Sequence, residues 1–345
     1  MLKLLFSLML ISATVFGQDS LFYCENITSQ EQYNFPVFHS KQRPLVAEKI
    51  NQLLQISELR MLKGFEENNI FESVTVDDHS IYGRRISILD SVLDISKKLI
   101  SVKFKISSCG STCNYWTTYY NFNSGNGDMI QLEDIITDSL YNDFQKYIAS
   151  KVVDQIKKGF YKDTPDSCSG DAWCNFTIKL VNNLSSFDEF YIKDNTLYVD
   201  CIEYFHKNML PSDMTETLTA FSSQELKMYL NDFGKSIFGI TDSISRFRSN
   251  RLPQLYSGKI GTEQIIMVLN DDGLESIQGE YVYTKYGHGI FISGRKVKDW
   301  IEMDEYDSAG KKVGQMEATI KGMEILGTWS NVDKSKTYPF FIKRR

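Results

Sequence analysis

Residues 251–345 leave the chain little freedom of fold. Eight short runs of alternating or apolar-rich sequence occupy 255–260, 263–270, 276–284, 289–294, 297–305, 312–320, 323–329 and 337–343. Alternation with a period of two marks strands that bury one face. Turn-forming clusters separate the runs: Asp271-Asp272-Gly273, Tyr286-Gly287-His288-Gly289, Gly294-Arg295, Ser308-Ala309-Gly310, Lys321-Gly322 and Asp333-Lys334-Ser335. Eight short strands at this spacing predict an up-and-down meander, either an eight-stranded antiparallel β-barrel or a sandwich. Eleven of the 21 glycines fall in this segment, whereas all six cysteines precede residue 202. Pro253 follows Arg248-Ser249-Asn250-Arg251 and marks a linker, so the expected units are 18–250 and 251–345.

The larger unit mixes both periodicities. Pro44 can open a helix at its first position, and Val46, Ile50, Leu53 and Leu54 then recur at helical spacing. Residues 84–94 form a less regular apolar run. Ile100, Val102, Phe104 and Ile106 point one way along a strand, and Tyr115–Phe122 is aromatic and β-branched. Asn123–Gly127 is a turn. Phe144, Ile148, Val152 and Ile156 recur every four residues on one helix face. Lys193-Asp194-Asn195-Thr196 joins two strands as a hairpin, and Ser222-Ser223-Gln224-Glu225 begins another helix that carries Leu226, Tyr229 and Leu230. Strands followed by separate helices predict an α+β class.

Residues 1–17 read as a signal peptide. Lys3 supplies the charged start and Leu4–Phe16 the short apolar stretch; small residues at Val15 and Gly17 place cleavage after Gly17. Cys24 follows bulky Tyr23 and makes a poor lipidation site. No other run is long and apolar enough to predict a transmembrane segment after cleavage. The expected address is secreted or periplasmic. Loss of Lys3 shifts the formal charge from −6 (38 − 44) to −7 (37 − 44). With no block of Lys and Arg, no nucleic-acid partner is expected. In an oxidising compartment six cysteines argue for disulfides. Proximity favours Cys109–Cys113 and Cys168–Cys174, which leaves Cys24 with Cys201. The C-x3-C spacing at Cys109 fits neither a zinc nor a redox pair.

Catalytic signatures are sparse. The four histidines, His39, His79, His206 and His288, stand at no metal-ligand spacing, and no phosphate loop or nucleophile elbow occurs. No metal or cofactor is expected. Asn121, Asn123, Gly125 and Asp128 depart from a calcium loop and read as a turn. Glu302, Asp304, Glu305 and Asp307 could supply paired carboxylates, yet their alternation with Ile301 and Met303 is that of a solvated strand face. The aromatic cluster at Tyr115, Trp116 and Tyr119 is the candidate binding surface.

An ordered series then stands out: Leu99-Ile100-Ser101-Val102-Lys103-Phe104, Tyr120-Asn121-Phe122-Asn123-Ser124-Gly125, and Ile130-Gln131-Leu132-Glu133-Asp134-Ile135-Ile136. Together with Phe190–Tyr198 and Phe221–Leu226 it resembles the extracytoplasmic domain of RsiV-like proteins over about residues 25–240. That resemblance implies an exported α+β module, an antiparallel sheet with packed helices. It would bind an envelope or extracellular protein, such as a lysozyme-like one, or peptidoglycan. The β segment is similar to small all-β domains of exported bacterial proteins. The expectation is a non-enzymatic binding protein. The alternatives are a cell-envelope glycan hydrolase using carboxylates such as Glu302 and Asp304, and a structural envelope component.

Overall fold

Three buried apolar clusters organise the fold. A computed structural model describes residues 21–75, 84–110, 112–160, 172–184, 187–201, 218–242, 252–271 and 275–345. The signal segment with its cleavage site, His79, Cys168, His206 and the junction at 243–251 lie outside the described residues.

The chain opens with a hairpin, β1 (Tyr23–Thr28) and β2 (Asn34–His39), then helix α1 (Pro44–Leu54) and the single-turn α2 (Glu72–Thr75). Strands β3 (Arg84–Ile95), β4 (Leu99–Cys109) and β5 (Cys113–Asn123) form an antiparallel meander. Short α3 (Leu132–Ile135) leads to the long α4 (Tyr141–Phe160) and α5 (Ala172–Asn183). A second sheet holds β6 (Phe190–Lys193), β7 (Thr196–Asp200) and β8 (Leu218–Ser222), followed by α6 (Ser223–Leu226) and α7 (Asp232–Ile237). The α+β class is therefore as expected.

The irregular run at 84–94 has a local cause. Strand β3 carries register shifts between Arg85 and Ser87 and between Val92 and Asp94, and each shift throws the alternation out of phase. On β4, Ile100, Val102, Phe104 and Ile106 all enter the first cluster, with Phe35, Phe38, Ile50 and Leu53. The expected face of α4 (Phe144, Ile148, Val152, Ile156) enters the second cluster, against Phe190, Leu197 and Phe221. Between the two clusters, Ser101 and Asn121 are fully buried and fully engaged. Ser101 Oγ donates to Asn121 Oδ1 at 2.7 Å or to the Ile192 carbonyl at 2.9 Å; Asn121 Nδ2 donates to the Phe190 carbonyl at 2.8 Å. They tie the first sheet to the second.

The expected helix after Ser222 is shorter than its apolar spacing implies. Ser222 caps it, but it ends at Leu226. Leu230 instead bridges to Ile136, and the Tyr229 carbonyl accepts from Thr137 N. Tertiary pairing outcompetes helical propensity there.

Strands β9 (Gln254–Ile260), β10 (Glu263–Asp271), β11 (Ser276–Tyr283), β12 (Gly289–Val297), β13 (Trp300–Tyr306), β14 (Lys312–Lys321), β15 (Glu324–Asn331) and β16 (Thr337–Arg344) close into an antiparallel barrel, β16 pairing with β9. Of the two expected architectures, the barrel is the one formed. Its lumen is filled by the third cluster, including Met267, Tyr281, Ile301, Met303, Met316 and Phe340. One expected turn is misplaced. Gly294-Arg295 lies inside β12, and the chain reverses at Lys298, where φ is +56°. Gly294 marks a close approach instead: a Cβ there would meet the Glu302 carbonyl oxygen at 1.8 Å. Gly258, Gly279 and Gly327 sit on the same inner face under the same constraint, so the glycine enrichment serves barrel closure as well as turns.

The barrel does not stand apart. Leu255, Ile266, Val268 and Val282, on its outer wall, are buried in the first cluster with the helices and strands of the N-terminal region. Each such side chain contributes about 1.5–3 kcal/mol when buried. The first cluster thus runs across the expected boundary, while the second and third stay on either side of it.

Of the expected disulfides, Cys109–Cys113 is formed. Cys174 is disulfide-bonded, and its expected partner Cys168 lies outside the described residues. The Cys24–Cys201 pair is not formed: both thiols are free. Cys24 packs against the first cluster and Cys201 is buried in the second, so separate cores hold them apart.

Candidate functional site

The docking of barrel on sheet leaves a cavity of about 350 Å³. Its floor begins where α1 gives way to a π-helical turn at Gln55–Leu59, ended by Arg60 in the left-handed region at φ +52°. A π turn followed by a left-handed non-glycine residue is costly backbone, and such geometry concentrates at functional sites. Here it turns Ser57, Glu58 and Arg60 to the cavity. Strand β3 adds Arg85, and alternate residues of β5 add Trp116, Thr118 and Tyr120. The barrel wall closes the far side with Val268 and Asn270 from β10, Gln278 and Glu280 from β11, and Phe291 from β12.

Two ion pairs line it. Arg60 Nε lies 2.7 Å from Glu280 Oε1, and Arg85 Nη1 lies 3.1 Å from Glu58 Oε2. Tyr120 OH donates to Glu58 Oε1 at 2.6 Å. Its phenol is pushed well above the ordinary range by burial and by the Glu58 charge. The Arg85 guanidinium stands 5.9 Å from the Trp116 ring centroid. The Glu280 side chain is only 12% exposed, and its Oε2 is buried without a hydrogen-bond partner. Burial pushes the Glu280 carboxyl up to about 7, against the pull of Arg60 and Arg85. Each guanidinium thus faces one carboxyl group, and one acceptor of Glu280 stays unused.

The three expected aromatics divide between the faces of β5. Trp116 lines the cavity. Tyr115, 59% exposed, and Tyr119, 4% exposed, lie on the opposite face. Tyr119 is a packing residue in this arrangement: its hydroxyl donates to Asp200 at 2.7 Å, and its ring stacks on Tyr191.

The carboxylates of β13 do not converge. Glu302 pairs with Arg295 at 2.9 Å and Asp304 with Lys312 at 2.7 Å on the outer wall. Glu305 faces the lumen, where it accepts from Tyr281 OH and Trp329 Nε1, and Asp307 accepts from main-chain N–H groups in a turn. Among the described residues no cluster of three or more His, Cys, Asp or Glu side chains could hold a metal. No helix among them is long and apolar enough to cross a membrane. A wider groove, about 560 Å³, runs along α1 past Tyr23, His39 and Phe65, but its Asn51 amide is spent on both main-chain polar groups of Phe38.

Solved structures that resemble this chain include two of the DUF3298 family. One is a member of the DUF3298 family from Bacteroides fragilis NCTC 9343, at 12% identity and a TM-score of 0.46, covering 64% of this chain and 97% of that one. The other is a DUF3298 family protein from Pseudomonas aeruginosa PAO1, at 7% identity and a TM-score of 0.40, covering 62% of this chain and 95% of that one. No family model and no curated protein matches the chain.

Proposed function

We propose that the chain is an exported, non-enzymatic binding protein whose recognition site is the cavity between the sheet and the barrel. One observation carries the reading: the unpartnered Glu280 Oε2 at the wall of a cavity that also presents Trp116. Buried polar atoms are ordinarily satisfied, and an unsatisfied one beside open volume is a place for a ligand donor. The Cys109–Cys113 disulfide supports an oxidising, extracytoplasmic address, and with it the RsiV-like resemblance and an envelope partner. The test is retention of the purified chain on peptidoglycan and on immobilised lysozyme. Trp116→Ala should weaken retention at least tenfold, whereas Tyr115→Ala, on the other face, should leave it unchanged. Thermal unfolding of both variants controls for folding. Equal retention of Trp116→Ala and the parent chain overturns the cavity as the site.

A second reading is the envelope glycan hydrolase, relocated from β13 to this cavity. Glu280, near neutrality, and Glu58, held by Arg85 and Tyr120, are two carboxylates in contrasting surroundings, the arrangement acid–base pairs use. Release of soluble fragments from peptidoglycan, abolished by Glu280→Gln, would favour it over binding alone.

A further inference from the structure

Resting on the cavity as the recognition site, we infer that its ligand is an uncharged sugar unit of an envelope glycan. Charge comes first. Arg60 with Glu280 and Arg85 with Glu58 leave the cavity close to electroneutral. A charged ligand entering it would give up its hydration with no free countercharge to meet it. Hydrogen-bonding capacity comes second. Glu280 lines the cavity, and its Oε2 lacks a hydrogen-bond partner. When Glu280 is ionised, a ligand hydroxyl or amide hydrogen would complete that oxygen. Asn270 and Gln278 are exposed at the rim, and each amide can both donate and accept. Trp116, Phe291 and Val268 supply the apolar wall. A ligand with hydroxyl groups around its edge and C–H groups on its faces matches that lining, and a pyranose ring has this form. The volume, about 350 Å³, lies at the small-ligand end of such sites, which run from about 300 to 1,000 Å³.

Both walls would contact the sugar, so binding should also strengthen barrel docking and raise the unfolding temperature. The experiment titrates the parent chain with chitotetraose and with maltotetraose, following tryptophan fluorescence and thermal unfolding. Saturable binding of at least one, with a raised unfolding temperature, is expected. The double variant Asn270→Ala/Gln278→Ala, changed only at exposed rim positions, should lose affinity tenfold or more. Trp116→Phe should retain more affinity than Trp116→Ala. No saturable binding of either oligosaccharide overturns the inference. If lysozyme is then retained by the parent chain and lost by Trp116→Ala, the sugar assignment falls while the cavity stands as the site. If neither sugar nor lysozyme distinguishes Trp116→Ala from the parent, both fall.

Discussion

Two buried ionic clusters join the barrel to the N-terminal region, and they are built on opposite plans. In the first, Asp128 sits between Lys49 of α1 and Arg344 of β16, and each of the three side chains is at least nine-tenths buried. Both carboxylate oxygens are engaged: Oδ1 by Lys49, Oδ2 by Arg344 at 2.8 Å and by Asn126 at 3.0 Å. Lys49 also donates to the Arg345 carbonyl at 2.7 Å. In the second, the cavity cluster, Glu280 keeps one oxygen unpaired. A saturated cluster has nothing left to offer a ligand and acts as a latch. An unsaturated one beside open volume holds binding capacity in reserve, at a cost in stability.

The sharpest way to break this contrast is Asp128→Ala. It removes the carboxylate that buried Lys49 and Arg344 share, a change that costs about 3–5 kcal/mol. Urea unfolding of the variant should show the unfolding free energy falling by that amount, with a correspondingly lower midpoint. A loss below about 1 kcal/mol would mean the triad is solvated in solution and is no latch.

How much of this was legible follows from where the information lies. The barrel strands were readable because turns and period-two alternation are local. The five apolar residues Ile265–Leu269 even break the alternation, since β10 is covered on both faces, by the lumen and by the first cluster. That run is the sequence trace of the docked wall. Trp116 was picked out as an aromatic, but its separation from Tyr115 and Tyr119 depends on which face of β5 meets the barrel. Glu58, Arg60, Arg85 and Glu280 carry no local signal. They lie on a helix end, a bulged strand and a barrel wall, brought together only by packing. Cys24 and Cys201 were paired by elimination, which ignores that each belongs to a different core.

The cavity side of the contrast is sharpened by pH. Glu280 is raised from 4.5 to about 7, chiefly by burial. Between those values the folded chain keeps a proton that the unfolded chain has lost. The folded state is therefore penalised as pH rises from 4.5 to 7, and the penalty is fully present above 7. Its size is on the order of 3 kcal/mol. Glu280→Gln should flatten that part of the stability–pH curve and unfold later than the parent chain at pH 8. A curve unchanged by the substitution would mean Arg60 already compensates the charge, and Glu280 would then join Asp128 as a latch.

Asp90 supplies the limiting case and a smaller effect. It is buried on β3, both its carboxylate oxygens lack partners, and burial raises it from 3.8 to about 6. It faces no described cavity, so any change on its removal reports burial alone. By the same sign, ionisation of Asp90 costs stability as pH rises from about 4 to 6. Asp90→Asn keeps the shape and removes the charge, so it should gain up to about 3 kcal/mol at pH 7 by urea unfolding, with ligand retention unchanged. A variant that is stabilised yet binds normally would assign an unpaired buried carboxylate to stability at Asp90 and to recognition at Glu280. Loss of binding in Asp90→Asn would show instead that the hairpin β1–β2, packed against β3, belongs to the recognition site, and the contrast between the two clusters would have to include it.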